Sequence, residues 1–136
     1  TDGTDNHLLL IDLREKGITG SKAEYILEQV SISVNKNTLK GDKSAFSPGG
    51  IRIGLCAMTT RGLRGDDCKS MVHLIHRAIE VGRKIGCIKL SDFKEKVNCL
   101  LNEDMDNEEK EIGFELQQLK KDVLWYTNQF HFLNRL

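Results

Sequence analysis

Proline is nearly absent from this 136-residue sequence, with Pro48 the only one. Collagen-like or polyproline character is therefore excluded. Apolar runs are short as well. Residues 8–11 (LLLI) fall far below the roughly 20 residues that a membrane-spanning helix needs, so no membrane is expected as a partner. Net charge is also missing, because 20 Lys and Arg balance 20 Asp and Glu. Domains that coat nucleic acid carry a marked positive excess, so nucleic acid is not an expected partner either. Cysteine is sparse: Cys56, Cys68, Cys87 and Cys99 form no Cys-x-x-Cys pair and suggest no zinc site. Reduced thiols in a cytosol-like compartment, not a secreted protein, are the expectation. No signal peptide is visible, the chain does not begin with Met, and it enters a strand-like run within a few residues. It reads as a segment of a longer protein.

What is present is ordinary globular composition, 39% hydrophobic and 29% charged. Residues 7–14 (HLLLIDLR) are apolar on both faces and predict a buried strand. After Gly17 and Gly20, Ser21 and Glu24 fit a capping box, and Ala23, Ile26, Leu27 and Val30 recur at helical spacing. Residues 31–34 predict a second strand, 35–50 a polar loop, and 51–54 a third strand. A long helix is predicted over 66–84, with Met71, Leu74, Ile75, Ala78 and Ile79 on one face. Ser91 or Asp92 should cap another helix running to about residue 101. The acidic run 103–111 reads as a linker or first turn. Ile112, Leu116, Leu119, Val123, Tyr126 and Phe130 then mark the seam of a final helix. The expectation is one α+β domain over 1–136: a core over 1–101, then an acidic linker and C-terminal helix over 102–136. A short, mostly antiparallel sheet of about three strands would have its helices packed beside it.

The segment 47–54 (SPGGIRIG) carries the clearest chemical pattern. Alternation along a strand points Ile51 and Ile53 to the core and Arg52 the other way, between Gly50 and Gly54. Two readings follow. The glycines clear space for a ligand whose carboxylate the guanidinium grips with two parallel bonds, or Arg52 is an exposed strand arginine with incidental glycines. Asn35, Asn37 and Thr38 surround Lys36 and offer mixed donors and acceptors suited to a heterocycle, or supply turn geometry. Arg61, before the long helix, either adds charge to the same cleft or ties its loop to backbone carbonyls. His73 and His76 lack a third metal ligand at good spacing, and Glu109 stands where a calcium loop requires glycine. No phosphate-binding glycine loop or nucleophile–base arrangement is present.

Several runs occur together and in order: GTDNHLLLIDLR, GITGSKAE, VNKNT, GDKSAFSPGGIRIG and AMTTRG. In these runs the sequence resembles the C-terminal domain of serine hydroxymethyltransferase over roughly residues 3 to 100, with a likeness that fades in the final helix. The resemblance implies the small domain of a fold-type I enzyme dependent on pyridoxal phosphate. Such an enzyme interconverts serine and glycine and passes a one-carbon unit to tetrahydrofolate. It also implies that Arg52 holds the substrate carboxylate, that Asn37 contacts folate, and that the large domain of the same chain carries most of the cofactor site. A homodimer or homotetramer in the cytoplasm or mitochondria is the family expectation. No run here matches the motif of the family's Schiff-base lysine, so no catalytic residue is assigned and the segment alone is expected to be inactive. Leu55-Cys56 and Lys40 depart from prolines common in the family. The departure at Leu55-Cys56 favours the alternative, a divergent non-catalytic interaction or assembly module. A third reading, an anion- or RNA-binding surface, would rest on Lys36, Lys40, Lys43, Arg52, Arg61 and Arg64.

Overall fold

The computed structural model describes residues 3–87, 89–102, 107 and 109–130. The expected α+β architecture is present. Three strands, β1 (Leu8–Asp12), β2 (Asn35–Asn37) and β3 (Gly50–Gly54), form an antiparallel sheet in the order β1-β3-β2. The helices are α1 (Gly20–Gln29), α2 (Cys56–Thr60), α3 (Asp67–Ile85), α4 (Leu90–Leu101) and α5 (Lys110–Thr127). The acidic run falls partly outside the described residues, at 103–106 and 108.

The site strand sits at the centre of the sheet, and its side chains follow a strict period of two. Ile51 is fully buried and Ile53 nearly so, while Arg52 between them is exposed. On the inner face these isoleucines meet α1 and α3, whose Ala23, Ile26, Leu27, Ile75, Ala78 and Ile79 share one core with Phe93 and Val97 of α4. The final helix adds Leu116, Leu119 and Val123 to that same core. Ion pairs fasten α5 to α3 at its rim: Arg77 to Asp122 and Lys84 to Glu115, both at 2.6 Å.

Four expectations need correction. β1 is an edge strand rather than a buried one, so Leu9 and Leu10 remain exposed despite an apolar pattern on both faces. The second strand begins at Asn35, not at residue 31. Helix α1 first has to unwind, with Ser31 in the left-handed region (φ 68°). The amide of Ile32 then returns to the Leu27 carbonyl at 2.9 Å, and that of Ser31 to the Glu28 carbonyl at 3.0 Å. The cap of α1 is Thr19, whose hydroxyl accepts from the Lys22 amide at 3.4 Å. Ser21 instead donates to the Phe46 carbonyl at 3.4 Å, and Glu24 is used elsewhere. Helix α4 is capped by neither Ser91 nor Asp92; its N-cap is Lys89, which has no side-chain cap.

Helix α2 was not legible in the sequence. It begins at Cys56, the first helical position, whose amide has no partner within a helix in any case. A proline is favoured there, but it is not required for the turn to form.

Three carboxylates, Asp12, Asp42 and Asp122, are held below their ordinary range. For Asp12 the largest cause is hydrogen bonding from the Arg14 side chain. For Asp42 it is the amides of Gly49 and then Leu39, and for Asp122 the side-chain bond from Arg77. Groups with a depressed folded pKa lend stability above the unfolded value of 3.8 and lose it as pH falls through the folded one. Thermal stability should therefore be flat near neutrality and fall once pH drops below about 4. Asp122→Asn should lower stability at neutral pH and make the acid limb shallower. An unchanged acid limb in that variant would contradict the role given to the Arg77–Asp122 pair.

Candidate functional site

The outer face of the sheet gathers the residues singled out by pattern. Register pairs Arg52 with Leu10 on one side and Asn35 on the other. Gly50 is paired with Asp12 and Asn37, and Gly54 with Leu8. Residues two apart share a face, so Arg52, Asn35 and Asn37 lie on one surface, opposite the core. Directly opposed side chains in an antiparallel pair have Cβ atoms about 5 Å apart and diagonal ones about 7 Å. Arg52 and the two asparagine amides can therefore contact a single small ligand.

Glu24 of α1 holds β2 in that orientation. Its carboxylate accepts the Lys36 amide at 2.9 Å and the Lys36 ammonium at 3.2 Å. Lys36 thus turns to the helix side, and its two asparagine neighbours turn outward. Asn37 donates its Nδ2 to the Thr38 carbonyl at 2.7 Å. The Arg52 side chain is exposed and makes no hydrogen bond or ion pair among the described residues.

The flanking glycines do something other than open space for a ligand. A Cβ on Gly50 would stand 2.8 Å from the Ile11 carbonyl oxygen and 2.9 Å from Leu39 Cδ2. The missing side chain is thus replaced by β1 backbone and by Leu39, which closes over the strand. At Gly54 the His7 carbonyl oxygen would lie at 3.3 Å. Gly20 is the tightest: its Cβ would overlap the Gly50 carbonyl, and its amide donates to the Pro48 carbonyl at 2.7 Å. Close backbone packing, and not ligand access, explains these positions.

Of the two readings of Arg61, the geometry supplies the tie to carbonyls. Its Nε donates to the Phe130 carbonyl and its Nη2 to the Thr127 carbonyl, both at 2.9 Å, where α5 ends. Thr127 is the last residue of α5, so its carbonyl has no intrahelical donor, and a cation there also complements the helix dipole. The basic-surface reading loses Lys36 to Glu24 and Arg61 to α5. Among the described residues no cluster of three or more His, Cys, Asp or Glu is placed to hold a metal. No helix among them is long and apolar enough to cross a membrane.

A cavity of about 500 Å³ lies elsewhere, at the β1 edge, lined chiefly by Leu8, Leu9, Ile53, Leu55, Met71 and Ile75. Arg52 and Asn37 are not among its lining residues. Its surface is mostly apolar, and none of its lining residues is a Lys or Arg that could meet a substrate carboxylate.

An open strand arginine with two asparagine amides across the ladder is an arrangement for binding a small carboxylate ligand. Comparison with known proteins gives the family. A family model described as serine hydroxymethyltransferase matches residues 1–75. The cytosolic serine hydroxymethyltransferase of Eremothecium gossypii is 40% identical over 136 residues, covering 96% of this chain and 26% of the relative. The cytosolic enzyme of Oryctolagus cuniculus is 49% identical over 102 residues, covering 71% of this chain and 21% of the relative. A relative from Neurospora crassa, named as mitochondrial, is 49% identical over 96 residues, covering 71% of this chain and 18% of the relative. The chain belongs to the serine hydroxymethyltransferase family. It spans about a quarter of the length of the curated relatives it matches. The likeness to the Eremothecium protein continues past residue 100 and into the final helix, further than the motifs alone suggested.

Proposed function

We propose that this chain is the small C-terminal domain of a serine hydroxymethyltransferase and that its outer sheet face binds the amino-acid substrate. The observation that carries the reading is Arg52: central in the sheet, exposed, without a partner among the described residues, and opposed by Asn35. The whole enzyme would interconvert serine and glycine with transfer of a one-carbon unit to tetrahydrofolate. It would be cytosolic or mitochondrial, as its relatives are named, and would assemble as a homodimer or homotetramer.

In this reading Arg52 holds the substrate carboxylate at two points, which fixes the orientation of the bonds at Cα. Asn37, diagonal to it, presents a carbonyl and an amide to the edge of the folate ring. Pyridoxal phosphate, when bound, supplies the electron sink that stabilises charge at Cα. The residues here fit the substrate end of that chemistry and not the cofactor's own attachment. The Arg52 row contains Leu10 and Asn35 but no lysine, and nearby Lys36 is turned to Glu24. By the resemblance, the Schiff-base lysine would belong to the large domain, because no run in this chain matches its motif.

Serine–glycine exchange assayed on the full-length enzyme and on the 136-residue chain tests this division. The full-length enzyme should turn over serine in the presence of tetrahydrofolate, and the isolated chain should fold without doing so. A full-length protein that folds but has no activity would favour the non-catalytic assembly module, a reading supported by the departure at Leu55-Cys56. Activity in the isolated chain would refute the assignment of the lysine elsewhere.

A further inference from the structure

The loop between β2 and β3 links the two strands that present Asn37 and Arg52, and one carboxylate closes it. Asp42 Oδ2 accepts hydrogen bonds from the amides of Leu39 and Gly49, each at 2.8 Å. A single oxygen thus joins the start of the loop to its end. The other oxygen faces Arg14, whose Nη1 lies 3.9 Å away, and the Asp42 side chain is only 8% exposed. Arg14 is itself held by Asp12 of β1, with Nη2 at 2.6 Å and Nε at 3.0 Å, and it donates Nη1 to the Lys40 carbonyl at 3.1 Å. Asp12, Arg14 and Asp42 therefore form a chain of charges from β1 to both ends of the loop.

The backbone is shaped to this chain. A Cβ on Gly49 would stand 2.8 Å from Arg14 Cγ and 2.8 Å from Asp42 Oδ1, so only glycine lets the arginine stem and the carboxylate close over that position. Leu39, whose amide Asp42 holds, is the residue whose side chain closes over Gly50. Gly49 is three residues before Arg52, and Leu39 is two after Asn37.

We propose that Asp42 is a positioning residue for the substrate face, acting through Leu39 and Gly49 to fix Asn37 and Arg52 relative to one another. The proposal rests on the roles given to those two residues above. Binding groups have to be held to within about 0.5 Å, and a loop tied at both ends by one buried acceptor supplies that restraint. An arginine and an asparagine on strands joined only by a slack loop would not.

The test uses the full-length enzyme with Asp42→Ala, Asp42→Asn and Arg52→Lys. The alanine variant removes the acceptor; the asparagine variant keeps an oxygen for the two amides and loses the charge facing Arg14. Asp42→Ala should raise KM for both serine and folate by about tenfold, with a smaller change in kcat. Asp42→Asn should recover only part of that loss, leaving both KM values about three- to fivefold above the parent, because an oxygen for the two amides remains but the charge facing Arg14 does not. Amide exchange should quicken at Leu39 and Gly49 while α3 and α5 stay protected. Faster exchange at those two amides with both KM values within about twofold of the parent, in an enzyme that Arg52→Lys does impair, would overturn the proposal and leave the functional reading intact. Failure of Arg52→Lys to impair serine turnover would remove the functional reading, and this proposal with it. Should Asp42→Ala also lose protection in α3, the asparagine variant decides. Raised KM values there, with α3 protected, support the positioning role, and unchanged values reject it.

Discussion

Arg52→Lys in the full-length enzyme should reduce kcat/KM for serine by about ten- to a thousandfold, with little effect on folding or cofactor binding. The side chain is exposed and contributes nothing to the core, so the substitution leaves Ile51 and Ile53 in place. Lysine keeps the charge but not the planar fork, so a carboxylate held at two points is then held at one. Truncating one member of a buried, hydrogen-bonded charge pair costs about 2–5 kcal/mol, and the lysine change belongs to the lower part of that range. At about 1.4 kcal/mol per factor of ten, the stated loss follows. Asn37→Ala should separate from it by weakening apparent folate affinity while leaving the glycine complex largely intact. Steady-state kinetics with serine and folate varied independently measure both. Serine kinetics within about twofold of the parent in Arg52→Lys would end the carboxylate assignment.

The second large effect concerns the helices that back the sheet. Phe93→Ala should destabilise the domain by about 3–5 kcal/mol. Phe93 is the largest fully buried side chain among the described residues and is 0% exposed. It meets Tyr25 of α1 edge-on at 6.5 Å between ring centroids, and the Lys22 ammonium lies 5.8 Å from its ring centre. Removing it leaves a cavity between α1 and α4 that neither helix can close, because Ile26, Leu27 and Val97 are already packed in the same core. Against a total stability of about 5–15 kcal/mol, the loss should lower the midpoint of thermal unfolding by about 10 °C or more. Phe93→Leu should cost distinctly less. A shift under about 3 °C for the alanine variant, followed by circular dichroism, would show that the core does not depend on this ring.

The elements legible in the sequence were those governed by periodicity. Gly50–Gly54 and Asp67–Ile85 follow patterns of two and of three to four residues, and the structure places both where the pattern does. What periodicity cannot convey is which neighbour a segment meets. The residues of β1 are apolar on both faces, yet the strand lies at the sheet edge, because strand order depends on pairings distant in sequence. Thr19 and Ser21 are both sound cap residues, and the close approach of Gly20 to the Gly50 carbonyl is what fixes the start of the helix.

The same limit applies at the site. Arg52 was legible because strand alternation alone turns it outward. Asn35 and Asn37 were legible as chemistry but not as a strand, since Asn and Lys are poor strand formers and Glu24 supplies the missing hold. Gly50 suggested an opening, but the Leu39 side chain fills it. Asp42 gave no signal at all, because its partners are two backbone amides, three residues before it and seven after.

The central claim is that the outer sheet face binds the substrate's carboxylate, and a crystal structure of the full-length enzyme with glycine bound tests it most directly. Two guanidinium nitrogens of Arg52 should lie about 2.7–2.9 Å from the two carboxylate oxygens, with β2 still opposed to β3 in the present register. A glycine carboxylate held by other residues, with Arg52 still turned to solvent, would contradict the account.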